Sequence, residues 1–513
     1  YGVNVVLEHE PGQDCPIVID NTPTMVSLLG IVDREWGPQG PGRSDYRMIR
    51  AGSLLQADGG YLVLEARELL REPGAWKVLV RTLRTGKLEI VPTEYQWPGM
   101  VASLKPEPIP VSIKVILLGD RGMYYLLDEH DPDFSQLFKV LVDFDTEIDR
   151  EPDGPMLYAR VLARIARDEK LPPFDRTGVA ALAEHGARIA ARRRKLSALF
   201  SRVADIAREA AFLARQDVTT PSVNSGHVEH AVDRGKKRAD LPSRRFRQYL
   251  ADGTIHVLTN GSVAGQINGL AVIAAGPLKY GFPARITASI GAGSAGVIDI
   301  ESLAQLSGAI HTKGFNILNG LLRNLLNTDH PLAFSASVAF EQSYGGIDGD
   351  SASGAEICCL LSALTDVPIK QGLAMTGAID QLGAIQAIGG VNEKVEGFYD
   401  ICKEFGLTGD QGVIIPHSNA GDLMLRHDVV EACETGKFHI WAVHRVHEAL
   451  ELLTGMAAGE LNEDGEYEEG TLLDLAVERA AEYWLKSSAR PTFEITGEPE
   501  DDATPGEAAA AAE

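Results

Sequence analysis

Residues 61–64 form an apolar run that is entered from Gly59-Gly60 and closed by Glu65-Ala66. This pattern predicts a buried strand ending in an acid, and Leu69 and Leu70 open the apolar stripe of a helix after it. Residues 111–119 repeat the theme as Val-Ser-Ile-Lys-Val-Ile-Leu-Leu-Gly, with prolines before and Asp120-Arg121-Gly122 after. Two such strands with helices between them predict a parallel α/β sheet over residues 1–150. From Pro155 to about Leu250 the period turns helical in Ala- and Arg-rich sequence, and residues 151–250 are expected to form a helical subdomain. Glycines and strand patterns then return. Residues 255–258, 269–274, 285–290 and the alternating 333–340 predict the strands of a second α/β domain over residues 251–456. Beyond it, residues 457–513 read as an acidic linker through Gly470, a short amphipathic helix over 472–485, and a disordered tail from Gly497 to Glu513. No internal repeat is found.

With 513 residues, of which 44% are hydrophobic and 23% charged, the chain has material for two or three ordinary cores. No stretch approaches the roughly 18 to 20 uncharged apolar residues of a membrane span, and no signal-peptide pattern opens the chain. Five cysteines without a C-x-x-C pair fit a reducing compartment, so a cytoplasmic protein is expected, free of membrane contact. The first residue, Tyr1, is not methionine, which suggests a fragment or a trimmed chain.

The net charge is -24, and residues 451–513 supply -14 of it, with 17 acidic and 3 basic side chains. A chain this acidic disfavours generic nucleic-acid binding, because phosphates require a basic surface. Basic residues cluster once, in Arg192-Arg193-Arg194-Lys195, Lys236-Lys237-Arg238 and Arg244-Arg245-Phe246-Arg247. They read either as a solvated helical face or as a contact for an anionic ligand or subunit.

Several signatures of common chemistry are missing: the G-x-x-x-x-G-K-[ST] phosphate loop, H-E-x-x-H, G-x-S-x-G and S-x-x-K. His439, His444, His447 and Glu448 straddle a strand and a helix start, so no metal site is assigned to them. The informative segment runs from Tyr344 to Leu364, where Gly-Gly-Ile-Asp348-Gly-Asp350-Ser351-Ala-Ser leads into a helix with Ile357, Leu360, Leu361 and Leu364 on its buried face. Ser351 reads in two ways. It is an N-cap, as serines before apolar runs usually are, or an exposed hydroxyl beside free amides that would stabilise an acyl-transfer oxyanion. A serine nucleophile needs a base. Lys394 falls on the apolar stripe Val391, Phe398 and Ile401, three residues after the first and four before the second. Held there it is desolvated and its ammonium form disfavoured; alternatively it snorkels to water.

Asp348-Gly-Asp-Ser-Ala-Ser353, followed by Ala374-Met-Thr-Gly377, Gly389-Gly-Val-Asn-Glu-Lys394 and Val413-Ile-Ile-Pro416, resembles the proteolytic domain of the Lon protease family. The separation of 43 positions from Ser351 to Lys394 is similar to the spacing of that family's Ser-Lys dyad. The lead-in Phe340-Glu-Gln-Ser-Tyr344 and the Gly-Asp-Ser-Ala-Ser form resemble the archaeal-type and Lon-like branches. The resemblance runs from Gly265 to Gly455. It implies a serine-type endopeptidase in which Lys394 takes the proton of Ser351 and Thr376 orients the lysine. Asp348 would be a gate that can bind the lysine and hold the site inactive, and the amides of Asp350, Ala352 and Ser353 are oxyanion-hole candidates. It further implies unfolded or damaged protein substrates, a homo-oligomeric ring of six, and no cofactor for peptide hydrolysis.

Residues 1–250 resemble the divergent AAA+ ATPase module and helical lid of Lon-related proteins. Gly59 to Ala66 looks like a Walker B strand, residues 115–120 like a sensor-1 strand, and Arg193 like a sensor-2 arginine. Glu65, Asp120 and Arg193 would make up a degenerate nucleotide site. Here the strand ends Glu65-Ala66 rather than Asp-Glu, and no Walker A exists, so ATP and Mg are expected only where a phosphate loop lies upstream. The expected fold class is multidomain α/β and α+β: a partial AAA+ module, an all-helical lid and a Lon-type proteolytic domain. Two further readings stand beside peptide hydrolysis without ATP: a fully ATP-dependent protease with its phosphate loop upstream of Tyr1, and a proteolytically silent, chaperone-like ring.

Overall fold

In the computed structural model, which describes residues 2–8, 14–33, 44–90, 104–217, 222–275 and 278–488, the chain divides into two units, Tyr1–Phe144 and Asp145–Glu513. The first is built on strands β1 (Ile17–Asp20) and β2 (Tyr61–Glu65), helices α1 (Ala66–Arg71) and α2 (Ala75–Thr85), strand β3 (Lys114–Leu118) and helix α3 (Arg121–His130). The sheet order is β1-β2-β3, parallel throughout, with Glu65 opposite Leu118. Leu62 and Leu64 point inward onto Leu28, Leu54, Leu69 and Leu79, the alternation that the apolar run predicts. Strand β1 escapes sequence reading because it is four residues long and its isoleucines, Ile17 and Ile19, face outward.

The second unit opens with helices α4 (Gly154–Asp168), α5 (Arg176–Ala190), α6 (Phe200–Gln216), α7 (Ser225–Ala239) and α8 (Leu241–Ala251). Tyr158, Leu162, Leu182, Val203, Ala207 and Val228 make a core of their own, as expected of a helical lid. Arg188 of α5 ties this subdomain to the rest of the unit: it donates to Glu396 at 2.7 Å and to the Met424 carbonyl at 2.8 Å.

Next come strands β4 (Gln266–Ala275), β5 (Leu278–Ala292) and β6 (Gly296–Asp299), helix α9 (Ala309–Leu326), strand β7 (Phe334–Phe340), helix α10 (Ser353–Thr365), strand β8 (Leu373–Met375) and helix α11 (Val391–Phe405). Strands β9 (Gly412–Pro416) and β10 (His439–Val443) and helices α12 (Val446–Thr454) and α13 (Leu472–Ser488) complete it. The mixed seven-stranded sheet has the order β6-β7-β5-β4-β8-β9-β10. Its antiparallel part is β7-β5-β4, and β4, β8, β9 and β10 run parallel. Strand β7 alternates buried and half-buried positions along its length.

Helix α10 lies between this sheet and helices α9, α12 and α13, and all its residues but Ala363 are buried. The expected stripe of Ile357, Leu360, Leu361 and Leu364 is therefore one side of a helix that is enclosed on every side, which its small and apolar residues permit. Cys358 and Cys359 are wholly buried in it and Cys402 in α11, while Cys433 is half-buried and Cys15 exposed.

Two segments differ from expectation. Residues 255–258 are not a strand: the Ile255 amide bonds back to Tyr249 and the Leu258 carbonyl accepts the Asn268 side chain, so no strand ladder forms. Residues 457–470 are docked rather than a free linker. Tyr467 donates to the Leu325 carbonyl at 2.7 Å, and the amides of Leu472 and Leu473 bond to Ala457 and Ala458. These bonds seat α13 in the core through Leu472, Leu473, Ala476 and Ala480. Leu473→Ala is therefore expected to cost about 2–5 kcal/mol in the unfolding free energy from denaturant titration. The tail read as disordered, Gly497 to Glu513, lies outside the described residues. Among the described residues no helix is long and apolar enough to cross a membrane.

Candidate active site

Helix α10 begins at Ser353, its N-cap is Ala352, and no side chain caps it. Ser351 stands just outside the helix and does not serve as its cap. The bonds that shape the turn are made by Ser353, whose Oγ donates to the Asp350 carbonyl at 2.8 Å and accepts the Ile379 amide at 3.2 Å. The Ser351 carbonyl accepts the Gly377 amide at 2.8 Å and the Thr376 hydroxyl at 3.1 Å, so the turn is sewn to the end of β8. A Cβ on Gly354 would lie 2.8 Å from Met375 Cε and 2.9 Å from the Gly377 carbonyl oxygen. Glycine there lets the two segments meet.

Lys394 sits in the first turn of α11, after Gly390 at φ 69°. It does not snorkel: it is 3% exposed, and its neighbours on the helix, Val391, Val395 and Phe398, belong to the adjoining core. Its Nζ donates to Ser351 Oγ at 2.7 Å and to Thr376 Oγ1 at 2.9 Å. Burial lowers its pKa from 10.5 to about 8, against the pull of Asp350 and Glu393 toward the charged form. An amine this close to neutrality, in hydrogen-bond contact with a hydroxyl that caps nothing, can accept that hydroxyl's proton.

The remaining expected site residues fall differently. Asp348 is not at the lysine: its carboxylate accepts the amides of Ile310 (3.1 Å), His311 (3.4 Å) and Gly349 (2.9 Å) and so caps α9. These amide bonds, the Gly349 one first, hold its carboxyl below the ordinary value. Of the three oxyanion candidates, the Ser353 amide is engaged with the Asp350 carbonyl at 3.1 Å.

In the first unit Glu65 is exposed at the end of β2, and Asp120 caps α3 through the Met123 amide and meets Arg67 at 3.3 Å. Arg193 is exposed in the turn after α5 of the second unit. These donors do not fit a nucleotide-hydrolysing site: Glu65 is followed by Ala66, and Asp120 is occupied by an amide and an arginine. His439 bonds the Gly409 carbonyl and His444 stacks on His417; among the described residues no group of three or more His, Cys, Asp or Glu is arranged to hold a metal ion. Several basic residues of the Arg192–Arg247 region are paired with acids: Lys195 with Asp149, Arg238 with Glu209 and Arg244 with Asp240.

Sequence reading misses a second cluster close to the nucleophile turn. Asp299, His311 and Glu356 come from three separate elements and meet in the interior, and no local spacing announces them.

Three family models match the chain: the LonB-like AAA domain over residues 13–145, the archaeal LonB AAA+ ATPase lid domain over 173–238, and the Lon protease (S16) C-terminal proteolytic domain over 343–455. A Lon protease homologue of Escherichia coli (strain K12) is 34% identical over 438 residues, covering 85% of this chain and 72% of that protein. One from Haemophilus influenzae is 33% identical over 434 residues, covering 84% and 70%. The archaeal Lon protease of Archaeoglobus fulgidus is 26% identical over 412 residues, covering 79% and 62%. With AAA, lid and peptidase regions matched in order, the chain belongs to the Lon protease family and carries its peptidase domain.

Proposed function

We propose that this chain is a serine-type endopeptidase working through a Ser351–Lys394 dyad. The observation that carries the reading is the 2.7 Å contact between a buried Lys394 amine and Ser351 Oγ, with a lysine pKa lowered to about 8. The neutral amine takes the serine proton as Oγ attacks a peptide carbonyl. The tetrahedral oxyanion faces the free amides near Asp350 and Ala352, the ammonium returns its proton to the leaving amine, and water then hydrolyses the acyl-enzyme with Lys394 again as base. Thr376 holds the amine on line through its 2.9 Å bond. Asp348 acts as a gate only after the turn rearranges, since in this state it caps α9.

Substrates are unfolded or damaged proteins, and the working form is a homo-oligomeric ring of six, as family membership implies. We assign residues 1–150 to the divergent AAA+ module, 151–250 to the lid and 251 through α13 to the peptidase. Five free cysteines favour a reducing, cytoplasmic setting. Peptide hydrolysis needs no cofactor. Glu65-Ala66 lacks the acid that polarises an attacking water, which disfavours ATP hydrolysis, and ATP and Mg would be bound only where a phosphate loop lies upstream of Tyr1.

The test is degradation of reduced casein with and without ATP and Mg, by the parent chain and by Ser351→Ala. Nucleotide-independent cleavage that disappears in the variant is the expected result. Cleavage that persists in Ser351→Ala would sink the dyad. A parent that binds casein but cuts it in neither condition would favour the silent, chaperone-like ring.

A further inference from the structure

The nucleophile turn rests on the start of α9. The Gly308 amide donates to the Ile347 carbonyl at 2.7 Å, the Ile347 amide to the Leu306 carbonyl at 2.8 Å, and Asp348 binds the first amides of the helix. Gly314, further along α9, faces Asp350 so closely that a Cβ there would lie 3.0 Å from Asp350 Cβ. Beneath this seam His311 is 1% exposed, with Nε2 3.6 Å from Asp299 Oδ2 and 3.7 Å from Glu356 Oε1. Glu356, 1% exposed, lies in the first turn of α10, the helix that Ser351 leads into. Three atoms of this cluster, Asp299 Oδ2, His311 Nε2 and Glu356 Oε2, are buried with no hydrogen-bond partner. Polar atoms withdrawn from water without partners cost stability, so the attraction of a charged ring for Asp299 and Glu356, beside its bond to the Gly349 backbone, is what offsets their burial.

We propose that His311 is a positioning residue for Ser351: flanked by Asp299 and Glu356, its ring joins the start of α9 to the first turn of α10 and so holds the turn between them with Ser351 Oγ on Lys394. The inference rests on the dyad reading. Four titratable groups face the ring: Asp299 and Glu301 at the short helix Ile300–Leu303, Glu356 from α10 and Asp348 from the turn. Phe340 closes the remaining side edge-on, and its amide donates to Glu301 at 3.0 Å. Burial works against a charged ring, but Asp299, Glu356 and the Gly349 backbone outweigh it and raise the His311 pKa above its usual value. Burial also pushes the Glu356 carboxyl up to about 7, against the pull of His311. The cluster therefore keeps a proton as the pH rises. Loss of its last proton leaves Asp299 and Glu356 buried and uncompensated and removes the attraction of the α9 ring for Glu356 on α10, which loosens α9 from α10 and takes the turn with them.

The experiment measures kcat and KM against pH, with a fluorogenic peptide, for the full chain, Ser351→Ala, His311→Gln, Glu356→Gln and the double variant His311→Gln/Glu356→Gln, with melting temperatures alongside. His311→Gln is expected to lower kcat about tenfold or more with KM within about twofold. Glu356→Gln removes a carboxylate that favours the charged ring, so the alkaline limb of kcat moves to lower pH. The double variant recovers part of the His311→Gln loss, because it leaves one buried carboxylate fewer unpaired. Variants that melt earlier while kcat and its alkaline limb stay in place would overturn the inference, as would parallel changes in kcat and KM. Residual cleavage by Ser351→Ala would overturn the dyad reading instead, and the two failures are thereby told apart.

Discussion

Lys394→Met should abolish peptide cleavage, lowering kcat by at least about 10³-fold, while making the fold more stable. The side chain keeps its length and loses its amine, so the pocket stays filled and the base disappears. The gain in stability comes from the depressed pKa, which falls from 10.5 to about 8 on folding. Between those values the unfolded chain holds a proton that the folded chain has released. The lysine's cost is therefore fully present below about pH 8, shrinks as the pH rises, and is gone above the unfolded value. A shift of this size corresponds to roughly 3 kcal/mol at pH 7. Denaturant titrations of parent and variant should differ by about that much at pH 7 and converge toward pH 10.5. In the parent, the acidic limb of kcat should rise about tenfold per pH unit up to about pH 8, above which Lys394 is neutral. Equal stability at pH 7 would mean the lysine is not held where its neighbours place it.

Gly281→Ala should cost about 100-fold in kcat without touching a reacting atom. Strand β5 and helix α11 approach backbone to backbone: a Cβ on Gly281 would lie 2.1 Å from the Glu393 carbonyl oxygen and 2.7 Å from Lys394 Cα, and one on Gly397 2.1 Å from the Gly281 carbonyl oxygen. Backbone atoms cannot swing aside as a side chain does, so α11 must move bodily and Lys394 moves with it. A displacement of about 1 Å at a reacting group is enough for a loss of that order, and overpacking of this kind typically costs about 1–3 kcal/mol in stability. Gly291, on the same strand, has open space where a Cβ would go, and Gly291→Ala serves as the control with kcat unchanged. Equal kcat in the two variants would show that the approach of β5 to α11 does not set the lysine.

What could be read along the chain was local. The stripe Val391, Phe398 and Ile401 announces the helix and places Lys394 on its inner side, and the glycine-rich turn announces an unusual helix start at Ser351. The contact between the two was not legible, because they stand 43 positions apart with a sheet crossover between them; only resemblance to a family joined them. Thr376 stands at the end of a strand three residues long, too short for a periodic signal. The docking of α13 was hidden for another reason. Acidic residues before it dominate the composition, while the few contacts that seat it, such as Leu472 and Leu473, are ordinary leucines. Residues 255–258 were apolar enough for a strand, but their backbone bonds to a helix end and to a side chain, and no pattern of apolar residues records that. The Asp299, His311 and Glu356 cluster joins residues far apart in sequence, each common enough to pass unnoticed.

The placement of the cysteines decides how the enzyme can be watched at work. Cys358 and Cys359 stand in the helix directly behind Ser351, and burial raises their thiols far above the range where thiolate forms at neutral pH, as it does for Cys402. Cys15, in the other unit, is open to solvent, and the thiol of half-buried Cys433 is raised by burial. A maleimide dye therefore lands first on the ATPase-like unit and leaves the peptidase interior untouched. The native sequence thus offers a fluorescent handle for following that unit, with no engineered residue near Ser351 and Lys394.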